Sequence, residues 1–142
     1  TLAAAGFEPE SSEDIQRDVW FKLWGNMTMN PVSAITGATT DKILDDAQTR
    51  EFCSAVMREA QTIGNKIGIP IAQTPDERHA VTRKLGAMKT SMLQDVEAGK
   101  AIELDALVAA VCEIGQKVNV PTPYTDALLG LTRLMARGRG LY

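Results

Sequence analysis

Apolar side chains recur at helical spacing along nearly the whole chain, and the alternation that marks strands is almost absent. The pattern predicts an all-α domain, a bundle of several helices. Ser11-Ser12-Glu13-Asp14 offers a cap with acids in the first turn, and Val19, Leu23 and Met27 follow at every fourth position. A helix is expected from about Ser12 to about Asn30, with that stripe buried. Asn30-Pro31 biases the backbone away from the helical region, which predicts a boundary or kink before Val32-Ser33-Ala34-Ile35, a short piece ended by Gly37. Between Thr40 and Ile67 the positions of Ile43, Leu44, Phe52, Val56, Met57, Ala60 and Ile63 fit one long helix or two abutting ones, closed by Gly64, Gly68 and Pro70. Thr74-Pro75-Asp76-Glu77 combines a cap, a proline at the first helical position and first-turn acids, so a helix starts there and reaches about Leu85. Further helices are expected from Met92 to Ala98, from Leu104 to about Val118, and from Tyr124 to about Ala136.

The 142 residues suffice for one globular domain spanning 1–142. A formal charge of −3, with Lys and Arg spread evenly, leaves no basic stripe for nucleic acid. Cys53 and Cys112 are the only cysteines and His79 the only histidine, so no zinc-ligand spacing can be assembled. Both cysteines sit among apolar neighbours and read as small core residues. No apolar run is long enough to span a membrane, and Thr1 to Gly6 has no basic segment leading into an apolar one. The protein is expected in the cytoplasm, with neither membrane nor nucleic acid as partner. No G-x-G-x-x-G or G-x-x-x-x-G-K-[ST] occurs, so these residues alone cannot cradle a dinucleotide.

Two constellations carry candidate chemistry. In Trp20-Phe21-Lys22-Leu23-Trp24-Gly25-Asn26-Met27-Thr28-Met29-Asn30-Pro31, Lys22, Asn26 and Asn30 recur every fourth residue and share one helix face. An ammonium with two amides below it suits an anionic, oxygen-rich small molecule; the same spacing also describes an ordinary solvated face. The second runs from Lys89 to Asp105 and contains Ser91-Met92-Leu93-Gln94-Asp95 followed by Gly99-Lys100-Ala101-Ile102-Glu103. Thr90 and Ser91 there could simply cap a helix, and Glu103 could act only on the dipole of the next one.

Together and in this order, the two segments resemble the C-terminal domain of ketopantoate reductases, whose motifs W-x-K-L-x-x-N-x-x-x-N-P and K-x-S-M-x-Q-D…G-[RK]-x-x-E-[IL]-D they match. The resemblance extends over nearly the whole chain, through Gly68-Ile69-Pro70 and Val120-Pro121-Thr122-Pro123. It implies a bundle like the C-terminal domain of 6-phosphogluconate dehydrogenase, preceded in the whole enzyme by a Rossmann domain that binds NADPH. It implies reduction of 2-dehydropantoate to pantoate in pantothenate and coenzyme A synthesis, with dimerisation through the helical half. By the same resemblance Lys22 is the general acid, Asn26 and Asn30 hold substrate oxygens or the lysine, Ser91 binds the substrate carboxylate, and Glu103 engages the substrate near Lys22. Two positions depart from the pattern: some members carry asparagine where this chain has Thr40 and Met88. Alternatives are a related reductase of another 2-oxo or 3-oxo acid, and a helical dimerisation module without catalysis.

Overall fold

In the computed structural model, which describes residues 4–6 and 11–142, the longest helix is α1 (Ile15–Thr36). Thr1 to Ala3, part of the opening segment read above, lie outside the described residues. Asp14, rather than Ser12, caps α1 by accepting the Arg17 N–H at 3.1 Å. The boundary expected at Pro31 is not there. Pro31 lies inside α1, although its missing N–H leaves the Met27 carbonyl without a helical donor. Every residue from Met27 to Ala34 is buried, so tertiary packing overrides the local bias. Gly37, at φ 72°, then closes the helix and donates its N–H to Ser33 O at 2.8 Å.

The expected buried stripe of α1 holds only at its C-terminal end. Val19 is 58% exposed and Leu23 half-buried, while Trp20 and Trp24, each one residue further round, join the fully buried Met27 in the core. Trp24 is fully buried and its indole N–H donates to Met57 O at 3.0 Å. Trp20 lies against Gly64, where a Cβ would stand 2.7 Å from the indole nitrogen and 2.9 Å from Ile69 O.

α2 (Thr40–Asp45) and α3 (Ala47–Lys66) are the abutting pair. Asp46 takes an extended conformation between them and caps α3 through the Thr49 N–H at 2.7 Å. α4 (Pro75–Arg83) opens on a complete capping box between Thr74 and Glu77. α5 (Ser91–Glu97) follows, then a π-helical turn (Asp105–Ala109) running into α6 (Ala110–Lys117), and finally α7 (Pro123–Gly138). No strand occurs among the described residues.

α1 is the axis of the bundle and packs against α3, α5 and α7. One apolar cluster gathers Trp20, Trp24 and Met27 with Val56, Met57 and Ile63 of α3. A second joins Ala34 to Met92, Leu104, Val108 and Ala136. Cys53 and Cys112 are both buried and free, as core residues should be, and burial pushes each thiol up to about 12. No helix of the described residues is long and apolar enough to cross a membrane.

Candidate functional site

The second half of α1 and the start of α5 are joined by a relay of hydroxyls. Leu93 N–H donates to Thr90 Oγ1, the cap of α5, at 3.2 Å. Ser33 Oγ donates to Asn30 O at 2.8 Å, so the proton between Ser33 and Thr90, 2.5 Å apart, comes from Thr90. Both hydroxyls are buried. The relay fixes the next residue, Ser91, beside Asn30, whose Nδ2 donates to Ser91 Oγ at 3.4 Å. Residues 61 positions apart in sequence thus meet at one point.

That point lies in a cleft of about 280 Å³. α1 contributes Gly25, Asn26, Met29 and Asn30; α2 contributes Thr40; α4 contributes Arg78 and Thr82; and the segment entering α5 contributes Leu85, Met88, Lys89, Thr90 and Ser91. Asn26, Asn30 and Ser91 are therefore brought together. Met29, Leu85 and Met88 add apolar surface to the lining, and no Asp or Glu lines it. Lys89 is neutralised, its Nζ lying 3.0 and 2.9 Å from the two Glu97 oxygens. Thr40 directs its hydroxyl to Gly86 O at 3.2 Å and its N–H to Met88 O at 3.0 Å, tying the loop to α2.

Lys22 and Glu103 do not line this cleft. Lys22 is exposed, on an adjoining shallow surface with Val19, Leu23, Ala106 and Leu107; Asn26 belongs to both surfaces. Glu103, also exposed, lies on a third surface with Ile102, Asp105 and Tyr142, and Ala106 is common to that one and the Lys22 surface. No hydrogen bond or ion pair joins Lys22 to Glu103. The π-helical turn supplies the shared edge, and such turns occur often at functional sites. Sequence reasoning passed over Arg78, which reads as one more basic residue on an exposed helix. The signal that could have found it is Gly25, since a glycine inside a helix costs stability and usually answers to close packing.

The family described as ketopantoate reductase PanE/ApbA C terminal matches residues 14–136, nearly the whole chain. The chain belongs to the ketopantoate reductase C-terminal family. Among its relatives, the 2-dehydropantoate 2-reductase of Mesorhizobium japonicum is 44% identical over 99% of this chain and 43% of that protein. A Ralstonia solanacearum MolK2 protein, provisionally assigned as a ketopantoate reductase, has a crystal structure that superposes with a TM-score of 0.92 at 63% identity, covering 97% of this chain and 42% of that one. The 2-dehydropantoate 2-reductase of Methylococcus capsulatus superposes at 0.88 with 27% identity, over 97% of this chain and 44% of that one. The chain thus spans less than half the length of these family members. Their alignment along it agrees with the all-α bundle expected from the helical periodicity.

Proposed function

We propose that this chain is the substrate-binding half of an NADPH-dependent reductase that converts 2-dehydropantoate to pantoate on the route to pantothenate and coenzyme A. The observation that carries the reading is the meeting of Asn26, Asn30 and Ser91 in one cleft free of carboxylates, with Asn26 also facing the surface that holds Lys22. A 2-oxo acid lying along α1 sets its carboxylate on the Ser91 hydroxyl and the Asn30 amide. Its ketone then points back along the helix toward Asn26 and Lys22.

Reduction turns the ketone oxygen into a developing alkoxide. The Lys22 ammonium stabilises that charge and gives up a proton to it, while the Asn26 amide donates a hydrogen bond that strengthens as the charge grows. Glu103, across the Ala106 edge, engages the substrate on the Lys22 side. NADPH supplies the hydride when bound. The described residues do not fit its pyrophosphate, having no strand that leads through a glycine loop into a helix, so that group falls to an N-terminal Rossmann domain of the same polypeptide. The reading carries with it a cytoplasmic enzyme that dimerises through its helical half.

A second reading, a reductase of another 2-oxo acid, is favoured by the apolar Met88 at the cleft and by the Thr40 hydroxyl already committed to Gly86. A substrate panel on the chain joined to a nucleotide-binding domain separates the two. In that two-domain protein Ser91→Ala is expected to raise KM for the 2-oxo acid, at a cost of about 1–3 kcal/mol in binding. The 142-residue chain alone is expected to show no NADPH oxidation above a heat-killed control. Turnover by the lone chain, or a two-domain protein that reduces no 2-oxo acid, would overturn the proposal.

A further inference from the structure

Arg78 differs from the basic residues that are held in ion pairs. Arg17, Arg58, Arg83, Lys89 and Lys117 each hold a carboxylate within 4.0 Å. The Arg78 guanidinium makes no hydrogen bond or ion pair with any described residue, and its Nε is buried without a partner. Instead the side chain crosses from α4 to α1 and lies on the backbone at Gly25. A Cβ there would stand 2.4 Å from Nη2 and 2.8 Å from Nε, so only glycine leaves the space. The Phe21 ring supports the group from one turn earlier, with Cζ 5.3 Å from the ring centroid. A permanent cation, seated on an aromatic face and a bare helix backbone, thus borders a cleft whose lining contains no acid.

We infer that Arg78 is the charged anchor for the carboxylate of the substrate, with Gly25 and Phe21 as the seat that aims it. This rests on the reading of the cleft as a 2-oxo acid site and adds what Ser91 and Asn30 lack. Those two are neutral donors, and an anion leaving water gains most from a charged one. A guanidinium meets a carboxylate with two parallel N–H donors, which selects a planar anion over its neutral amide. The loss of a polar contact at Met88 is offset in the same way. The cleft accordingly recognises a carboxylate by charge as well as by hydrogen bonding, and discriminates against uncharged carbonyl compounds of the same shape.

The test is a titration of the ¹⁵N-labelled 142-residue chain with 2-dehydropantoate, its carboxamide, 2-oxoisovalerate and NADP⁺, followed at the Arg78 Nε–H resonance. Both 2-oxo acids should move that resonance and the carboxamide should not. Arg78→Met should weaken the acids by about 10- to 100-fold, the size of one lost charged hydrogen-bonding group, and leave the carboxamide unchanged. Gly25→Ala should reproduce that weakening while the urea midpoint stays level or rises, because alanine favours the helix and only the far end of a flexible side chain must move. A merely structural Arg78 would not give that pairing. Acid binding that is equally tight in Arg78→Met overturns the inference and leaves the substrate site standing. A response of Arg78 to NADP⁺ alone assigns the guanidinium to the nucleotide and also overturns it. Arg78-dependent binding of 2-oxoisovalerate without 2-dehydropantoate upholds the anchor and removes the proposed substrate. If the parent chain binds neither acid, the site reading and the anchor fall together.

Discussion

Glu59 reaches from α3 to the start of α7 and caps it from another helix. Its Oε1 accepts the Tyr124 N–H at 2.9 Å, and its Oε2 accepts the Thr125 N–H at 2.9 Å and the Thr125 hydroxyl at 2.6 Å. These amides belong to the first turn of α7, which has no intrahelical acceptor for them, and Thr122 at the cap position spends its hydroxyl on Asp126. The carboxylate also opposes the positive end of the helix. Glu59→Ala frees the Tyr124 amide to water, since Tyr124 is 50% exposed, but Thr125 is fully buried and loses the one oxygen that accepts both its N–H and its hydroxyl. Two hydrogen bonds to a charged group, at about 1.5–3 kcal/mol each, give an upper figure near 3–6 kcal/mol. Water entering the vacated space lowers the expected loss to about 2–4 kcal/mol. Glu59→Gln retains one carbonyl acceptor but turns an NH₂ group toward an amide N–H, and should cost about 1–2 kcal/mol. Urea denaturation followed by far-UV circular dichroism reads both. A loss below about 0.5 kcal/mol for the alanine variant, the range of an ordinary surface change, would refute the capping argument.

Two further outcomes follow from buried groups. His79 is 3% exposed, its Nε2 is 2.9 Å from Ser54 Oγ, and burial holds its pKa below the ordinary 6.5. Folding therefore favours the neutral ring, so its contribution is complete above pH 6.5 and is lost as pH falls from there toward the folded pKa. His79→Gln should flatten the fall of the urea midpoint in that window, and an unchanged slope would show that the ring does not contribute. Cys53 and Cys112, with thiols pushed up to about 12, should resist an aromatic disulfide reagent at neutral pH in the folded protein and both react in urea. Rapid labelling of either in native conditions would contradict their burial.

Helix starts that depend on local chemistry were legible, as the start of α4 at Thr74-Pro75 illustrates, and so was the burial of the two free cysteines among apolar neighbours. The boundary expected at Pro31 was not observed, because a proline's local bias carries no information about the eight consecutive buried residues that keep α1 continuous through it. The expected stripe held at Met27 but not at Val19 for a related reason. The two indoles on the neighbouring face bury more surface and claim the core beside the first turns of α1. Within the site, the helical period placed Asn26 and Asn30 on one face, while only the hydroxyl relay through Ser33 and Thr90 brings Ser91 to them. Nothing in the local sequence marks Arg78 off from Arg83 five residues on, which pairs with Asp45 at 2.7 Å. The difference lies in what each side chain meets on the neighbouring helices, Gly25 and Phe21 for one and Asp45 for the other.

The role of Lys22 is decided by the turnover number for 2-dehydropantoate of the proposed two-domain reductase, measured for the parent, Lys22→Ala and Lys22→Arg with NADPH saturating. Lys22→Ala should lower kcat by roughly 10²- to 10⁴-fold with folding intact. Lys22→Arg should restore little, because a guanidinium keeps the charge but cannot surrender its proton near neutral pH. An arginine variant that recovers most of the rate would make Lys22 a charge and not an acid. An alanine variant nearly as fast as the parent would mean that the exposed lysine on α1 is a solvated helix residue, and the catalytic assignment of this face would be wrong.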